Sequence, residues 1–265
     1  MAKRLENKVA IVIGAGQTPG DTIGNGRAMS VLFAREGAKV LLVDRNLEAA
    51  EETHAQIREE GGESFPFKAD VTKLEDCKNV TGKCMELYGR IDVCSYNVGT
   101  GEGGNSLAMP ERWWDTIFNV NIKGLYYMYR YVIPIMEKQG SGSLINTSSI
   151  AAITSTPMLA YRSSKAGMNA LTQSIAVQYA SKGIRANVIM PGLMNTPMAI
   201  EGLSRAGGVD KQELIKRRDS RVPLKGGMGS AWDVAYAALF LASDEAKFIS
   251  GVLLPVDGAQ SARVG

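Results

Sequence analysis

The chain has 265 residues, enough for one large α/β domain to bury a full core without disulfides or metals. It is 45% hydrophobic and 22% charged, with a net charge of +3 spread over scattered basic residues, so electrostatics does not point to nucleic acid or a membrane surface. No window approaches the roughly 18 uninterrupted apolar residues of a membrane span, and the charged N-terminus lacks a signal-like apolar run, which predicts a cytoplasmic protein.

Strand-like apolar runs alternate with helical patterns along the chain. Residues 9–13 read as a buried strand, followed by a glycine-rich loop and a helix over 27–36 that Gly37 stops. A strand at 40–43 leads to a polar helix over 47–60, which ends at Gly61-Gly62. A short strand at 65–67 is followed by a helix over 73–88, a strand at 91–95 and a long helical region over 111–139. Then come a strand at 143–146, a helix over 159–181 and a strand at 185–190. The segment 193–230 is irregular, rich in Gly, Met and charge, and too long for an ordinary connection, so it is a candidate lid. A helix over 232–242 and a strand at 252–256 close the pattern. Seven short apolar strands with helical crossovers predict an α/β chain: one Rossmann-type domain over 1–265, its doubly wound seven-stranded parallel sheet covered by helices on both faces.

Cys77, Cys84 and Cys94 are odd in number and lack zinc-like spacing, so they read as reduced packing residues. His54 is the only histidine and sits in a Glu-rich helical stretch, which reads as a surface position and leaves no basis for a metal site.

The loop after the first strand runs Gly14-Ala15-Gly16-Gln17-Thr18-Pro19-Gly20-Asp21-Thr22-Ile23-Gly24-Asn25-Gly26. Glycines there let backbone approach a pyrophosphate at a helix N-terminus, where free N–H groups and the helix dipole favour an anion. Asp44, after the second strand, suits the adenosine ribose hydroxyls and repels the extra phosphate of NADP, whereas Arg45 beside it would attract that phosphate. The balance favours NAD over NADP. Asp70-Val71 comes after the third strand and reads either as an adenine neighbour or, for Asp70, as an N-cap.

These residues, with Asn97-Val98-Gly99, Asn121, Ser148-Ser149, Tyr161-Arg162-Ser163-Ser164-Lys165, Asn187, Pro191-Gly192 with Thr196, and Asp257-Gly258, occur in the order seen in short-chain dehydrogenases/reductases, which the chain resembles over nearly its whole length. The resemblance implies NAD(H) or NADP(H) binding and a homotetramer, with Asn97 and Gly99 at the cofactor and Pro191, Gly192 and Thr196 lining the nicotinamide. Three departures stand out. Ile13-Gly14 replaces the usual Thr-Gly, and Tyr96-Asn97-Val98-Gly99 replaces Asn-Asn-Ala-Gly. The glycine loop is lengthened, with Gly14, Gly16 and Gly24 its expected contact glycines, and resembles that of enoyl-thioester reductases.

Tyr161 and Lys165 are i and i+4 on a predicted helix and so share one face. A free tyrosine ionises near pH 10, so a base useful near pH 7 needs about 4 kcal/mol of help. A cation about 4 Å away at an effective dielectric of about 20 supplies roughly that. Tyr161 is therefore the candidate general acid–base, moving a proton as hydride passes between the cofactor and a secondary alcohol or ketone. By resemblance Ser149 holds the substrate oxygen, with Ser148 the alternative, and Asn121 binds a water that links Lys165 to solvent. An enoyl-thioester reductase is the first rival reading, and a non-catalytic NAD-binding regulator the second. Three residues between Tyr161 and Lys165, rather than the six of the enoyl reductases, argue against the first. Retention of the tyrosine, lysine and serine argues against the second.

The substrate pocket is expected from residues 100–107, 150–159 and 193–230. Met190, Met194 and Met198 are candidates for its apolar wall. The lid carries seven basic and four acidic residues, read either as a solvated helix over 211–221 or as an arginine clamp for an anionic substrate, with Glu102 the one carboxylate on the facing loop. The aromatics Trp113, Trp114, Tyr126, Tyr127, Tyr129 and Tyr131 read as subunit contacts.

Overall fold

The computed structural model describes residues 3–101 and 107–263. Each predicted strand forms: β1 (Val9–Ile13), β2 (Lys39–Asp44), β3 (Glu63–Lys68), β4 (Val93–Tyr96), β5 (Gly142–Thr147), β6 (Ile184–Pro191) and β9 (Leu253–Val256). All pair in parallel, in the order β3-β2-β1-β4-β5-β6-β9. A two-residue pairing of β7 (Met194–Asn195) with β8 (Gly229–Ser230), absent from the sequence reading, ties the start of the lid to its end. Runs this short carry no periodicity to read.

Alternate strand residues feed two cores, because successive side chains point to opposite faces. On one face Ala10, Val12, Val40, Leu42, Val93 and Ile145 pack with α1 (Asn25–Arg35) and α9 (Ala231–Ala242). On the other, Ile11, Ile13, Leu41, Val43, Cys94 and Tyr96 meet α3 (Leu74–Tyr88), α5 (Gly124–Gln139) and α6 (Leu159–Gln178). Burying one such Leu or Ile side chain fully contributes roughly 1.5–3 kcal/mol. The remaining crossover helix on the β2–β3 side is α2 (Leu47–Glu59). The three cysteines are buried and unpaired by disulfide, and burial pushes the Cys77 and Cys84 thiols up to about 12.

Three expectations change. The region 111–139 is not one regular helix: α4 (Glu111–Phe118) and α5 are joined by a π turn at Asn119–Lys123 centred on Asn121. Such widened turns recur at functional sites. His54 is half-buried rather than on the surface, its Nδ1 2.8 Å from the Ser64 hydroxyl, because α2 packs against β3. The lid segment holds two helices, α7 (Pro197–Gly207) and α8 (Lys211–Asp219), the second ending two residues before the expected Arg221.

Candidate active site

Between β1 and β4 the chain order reverses, and the strand ends there open a crevice of the kind that takes a dinucleotide in doubly wound sheets. Gly14 turns the chain out of β1 with φ +82°, a left-handed conformation that a side chain would strain. Gly26, in the first turn of α1, packs so closely on the Gly14 carbonyl that any Cβ would overlap it. The first turn of α1 carries no carboxylate and no side-chain cap, so its positive end is free of a built-in anion. The Asn25 and Asn97 side-chain oxygens are buried without hydrogen-bond partners, although the Asn97 amide reaches the Gly14 carbonyl at 3.4 Å. Buried polar atoms of this kind call for a partner, and a nucleotide in the crevice fits them.

Asp44 ends β2 with one carboxylate oxygen accepting from the Gly16 amide at 3.0 Å and the other from the Asn46 amide at 3.0 Å. A carboxylate offers about four acceptor positions, so it retains capacity for ribose hydroxyls. Asp70 closes its own turn, accepting from the Thr72 amide at 3.0 Å and hydroxyl at 2.7 Å, while Lys73 is the N-cap residue of α3. Burial works against ionisation of Asp70, but the Thr72 bonds, with Lys73 and Arg45 nearby, outweigh it and hold the carboxyl below its ordinary value. The Val71 side chain is buried in the core beside Gly124, which leaves only its backbone for a ligand.

Pro191 ends β6, and Gly192 donates to the Val256 carbonyl at 3.0 Å. Gln260 supports the same corner by accepting from the Leu193 amide at 2.7 Å. Thr196 is the N-cap residue of α7, makes no side-chain capping bond and is buried. Asn187 bonds the Ile249 carbonyl and the Val252 amide, which fixes β6 to the last strand rather than to any ligand site.

The sequence-predicted catalytic residues come together at the ends of β5 and α6. Tyr161 and Lys165 share one face of α6, with the buried ammonium 5.8 Å from the tyrosine ring centre. Lys165 Nζ donates to the Thr147 carbonyl at 2.8 Å, and burial lowers its pKa to about 7. Part of the tyrosine ring is exposed, but its hydroxyl end is enclosed, and that burial raises its pKa while the Ser149 hydroxyl beside it works the other way. The sum made from sequence left out this burial, which works against the lysine's help to the phenolate. Desolvation opposes the phenolate, and the same desolvation lowers the lysine that would stabilise it, while its ammonium donates to the Thr147 carbonyl.

The two serines separate cleanly. Ser149 accepts from the Ala151 amide at 3.1 Å and faces Tyr161, whereas Ser148 is buried and donates to the Lys165 carbonyl at 3.1 Å. Asn121 sits in the π turn with both amide hydrogens and its side-chain oxygen bonded to neighbours. It accepts from the Thr100 amide at 2.9 Å and donates to the Thr100 carbonyl at 2.9 Å and the Ser164 hydroxyl at 2.8 Å. Gly99 leaves the room Lys165 needs, since a Cβ there would stand 2.9 Å from Nζ.

Other expectations are redistributed. Met190 and Met194 are buried in the core, where Asn169 contacts the Met190 sulfur, and only Met198 is exposed, so the methionine wall does not form. Tyr129 is buried and donates to the Asn146 side chain at 2.7 Å, so it is a core residue, whereas Trp114, stacked on Phe118, and Tyr126 stay exposed. Of the pocket loop 100–107, residues 102–106, Glu102 among them, lie outside the described residues. Gly101 packs against Met158 and the Tyr161 ring. Among the lid arginines, Arg217 and Arg221 are exposed, while Arg218 is half-buried and reaches the Met228 sulfur at 3.2 Å.

Sequence reasoning missed three positions. Ser164 links Asn121 to the Tyr161 carbonyl, and its i+3 spacing from Tyr161 was the available signal. Thr147 holds the lysine through its backbone, which no side-chain pattern reveals. Gln17 accepts from the Gly24 amide at 2.9 Å and closes the lengthened loop on itself, also without a local signal.

A family model described as enoyl-(acyl carrier protein) reductase matches residues 21–259. The 3-oxoacyl-(acyl-carrier-protein) reductase of Thermotoga maritima is 35% identical over 256 residues, covering 96% of this chain and 98% of its own. A structure assigned to the short-chain dehydrogenases/reductases, from Burkholderia xenovorans, superposes with a TM-score of 0.94 at 39% identity, covering 100% of both chains. A 7α-hydroxysteroid dehydrogenase solved with NADH and 7-oxo glycochenodeoxycholic acid gives a TM-score of 0.86 at 30% identity, covering 97% of this chain and 95% of that one. Among the described residues, no helix is long and apolar enough to cross a membrane, and no group of three or more His, Cys, Asp or Glu side chains gathers as a metal would require. With the crevice, the α6 pair and these full-length matches, the chain belongs to the short-chain dehydrogenase/reductase family and is an oxidoreductase of the kind that acts on CH–OH groups with a nicotinamide cofactor.

Proposed function

We propose that the chain is an NAD-dependent dehydrogenase of a small secondary alcohol, or reductase of its ketone, with Tyr161 as the general acid–base. The observation that carries this reading is the meeting of the Ser149 and Tyr161 hydroxyls beside the buried Lys165 ammonium. A nicotinamide held in the crevice would supply the hydride chemistry and, when oxidised, a positive charge. Ser149 holds the substrate oxygen against Tyr161. In oxidation the phenolate oxygen accepts the hydroxyl proton, and in reduction the phenol returns it to the carbonyl oxygen. Lys165 biases Tyr161 towards the phenolate, and Asn121 fixes the Thr100 loop and the Ser164 turn around the pair.

The preference for NAD over NADP is supported by the Asp44 carboxylate at the end of β2, held by two backbone amides, whose charge would repel a 2′-phosphate. Gly14, Gly16, Gly24, Asp70, Val71, Asn97, Gly99, Pro191, Gly192 and Thr196 complete the cofactor surface in this reading. Residues 193–230 serve as the substrate lid over a single domain. A homotetramer is proposed on the exposed aromatics of α4 and α5, Trp114 and Tyr126, and a cytoplasmic setting on the three reduced cysteines. The family-model description and the lengthened loop favour an enoyl reductase, but the short Tyr161–Lys165 spacing and the Ser149–Tyr161 meeting support CH–OH chemistry instead.

A screen of secondary alcohols with NAD at high pH, reading absorbance of the reduced cofactor, tests this reading. Turnover of at least one alcohol supports it. Binding of NAD(H) without turnover of any alcohol or ketone, together with reduction of an enoyl thioester, would overturn it.

A further inference from the structure

The lengthened glycine loop does not project into solvent. Gly20 lies against the first turn of α7, where an added Cβ would stand 2.9 Å from Pro197 Cβ and 2.8 Å from Glu201 Cγ. At the first residue of α8, Lys211 donates to Asp21 of the loop and to Glu201 of α7, each at 2.5 Å. One ammonium thus joins the segment after β1 to both lid helices. The two carboxylates raise the lysine pKa, so it stays charged through the neutral range. Gln17 adds rigidity by bonding the Gly24 amide and the Thr22 carbonyl across the loop's base.

The sheet order gives this bridge its meaning. Between β1, which feeds the loop, and β6, which feeds α7, stand β4 and β5. Three strand spacings of about 4.8 Å put the two chain exits roughly 14 Å apart. A contact between the loop after β1 and the lid helices after β6 must therefore pass over the carboxyl ends of the intervening strands. A dinucleotide held along those ends, with its adenosine towards Asp44 after β2 and its nicotinamide towards Thr196 after β6, would have its middle beneath that contact.

We infer that Lys211 is a positioning residue for the cofactor: its bridge from Asp21 to Glu201 clasps the lengthened glycine loop to the lid and slows cofactor release. The inference rests on the cofactor reading proposed for this site. The ion pairs are exposed at Asp21, so they add little to global stability, and their effect falls on local opening. A function-neutral surface lysine would leave cofactor release untouched.

The test is stopped-flow release of NADH, monitored by the cofactor's fluorescence, with binding affinity from calorimetry. Lys211→Met is expected to speed release about two- to fivefold and weaken affinity in proportion, the range open to an exposed ion pair, with the melting temperature essentially unchanged. Lys211→Arg should restore slow release. Asp21→Asn and Glu201→Gln should each speed release in the wild-type background and do nothing further in Lys211→Met. Raising salt from about 0.1 M to about 1 M, which shortens the Debye length from about 10 Å to about 3 Å, should accelerate release more in wild type than in Lys211→Met. Gly20→Ala, which removes no charge, should also speed release by lifting the loop from α7. Unchanged release in Lys211→Met, with NADH still bound by wild type, overturns the clasp alone. Failure of wild type to bind either nicotinamide cofactor overturns the cofactor reading and the clasp with it.

Discussion

The Lys165 ammonium donates to the main-chain carbonyl of Thr147 at 2.8 Å, at the end of the strand that leads on to Ser149. The cation is thereby anchored in a buried position by a backbone group, with no carboxylate bonded to it among the described residues.

That arrangement has a cost in stability that pH should expose. Burial lowers Lys165 from 10.5 to about 7, so between those values the unfolded chain binds more protons than the folded one, and stability rises with pH across that window. Lys165→Met removes the buried cation while keeping its bulk. The variant should melt higher than wild type near pH 6, and the gain should shrink towards pH 10, although turnover is lost. Thermal melts at the two pH values decide it: an equal gain at both, or a loss near pH 6, contradicts the assignment.

Tyr161→Phe should lower turnover by about 10²-fold or more, the loss expected for a general acid–base group, with NADH affinity nearly unchanged. Steady-state rates and a binding titration on the same preparation check both halves. A variant with near-wild-type turnover would remove Tyr161 from the chemistry.

Ser149→Ala and Ser148→Ala should differ in kind. Ser149 faces Tyr161, so its loss should fall on kcat, by about 10-fold or more. Ser148 donates to the Lys165 carbonyl from a buried site, so its loss should lower the melting temperature, by about 1 kcal/mol of stability, more than it lowers kcat. Comparing kcat with melting temperature for both variants reveals a reversal if the roles are exchanged.

Asp44→Ala should move the ratio of kcat/KM values towards NADP, because it removes a repulsion and leaves Arg45 exposed nearby. The Gly16 amide also loses its acceptor, so affinity for NAD should fall as well. If wild type already uses NADP as efficiently as NAD, the charge argument for Asp44 is wrong.

The strands, their crossover helices and the order of the motif residues were legible in the chain itself. Buried parallel strands such as Val9–Ile13 write themselves as unbroken apolar runs, and Tyr161 and Lys165 are brought to one face by helical spacing alone. What needed the tertiary structure were choices between near-identical neighbours and contacts across the sheet. Ser148 and Ser149 are adjacent and chemically identical. Only the packing of β5 against α6 sends one to the lysine backbone and the other to the tyrosine. The balance around Tyr161 also escaped the sequence, because spacing conveys that a cation is near but not that burial removes the solvent supporting both charges. Lys211 meets Asp21 from 190 residues away. Local periodicity records which face of an element is apolar, whereas such a meeting depends on strand order and on how far the loops reach over the strand ends, which the folded chain alone fixes.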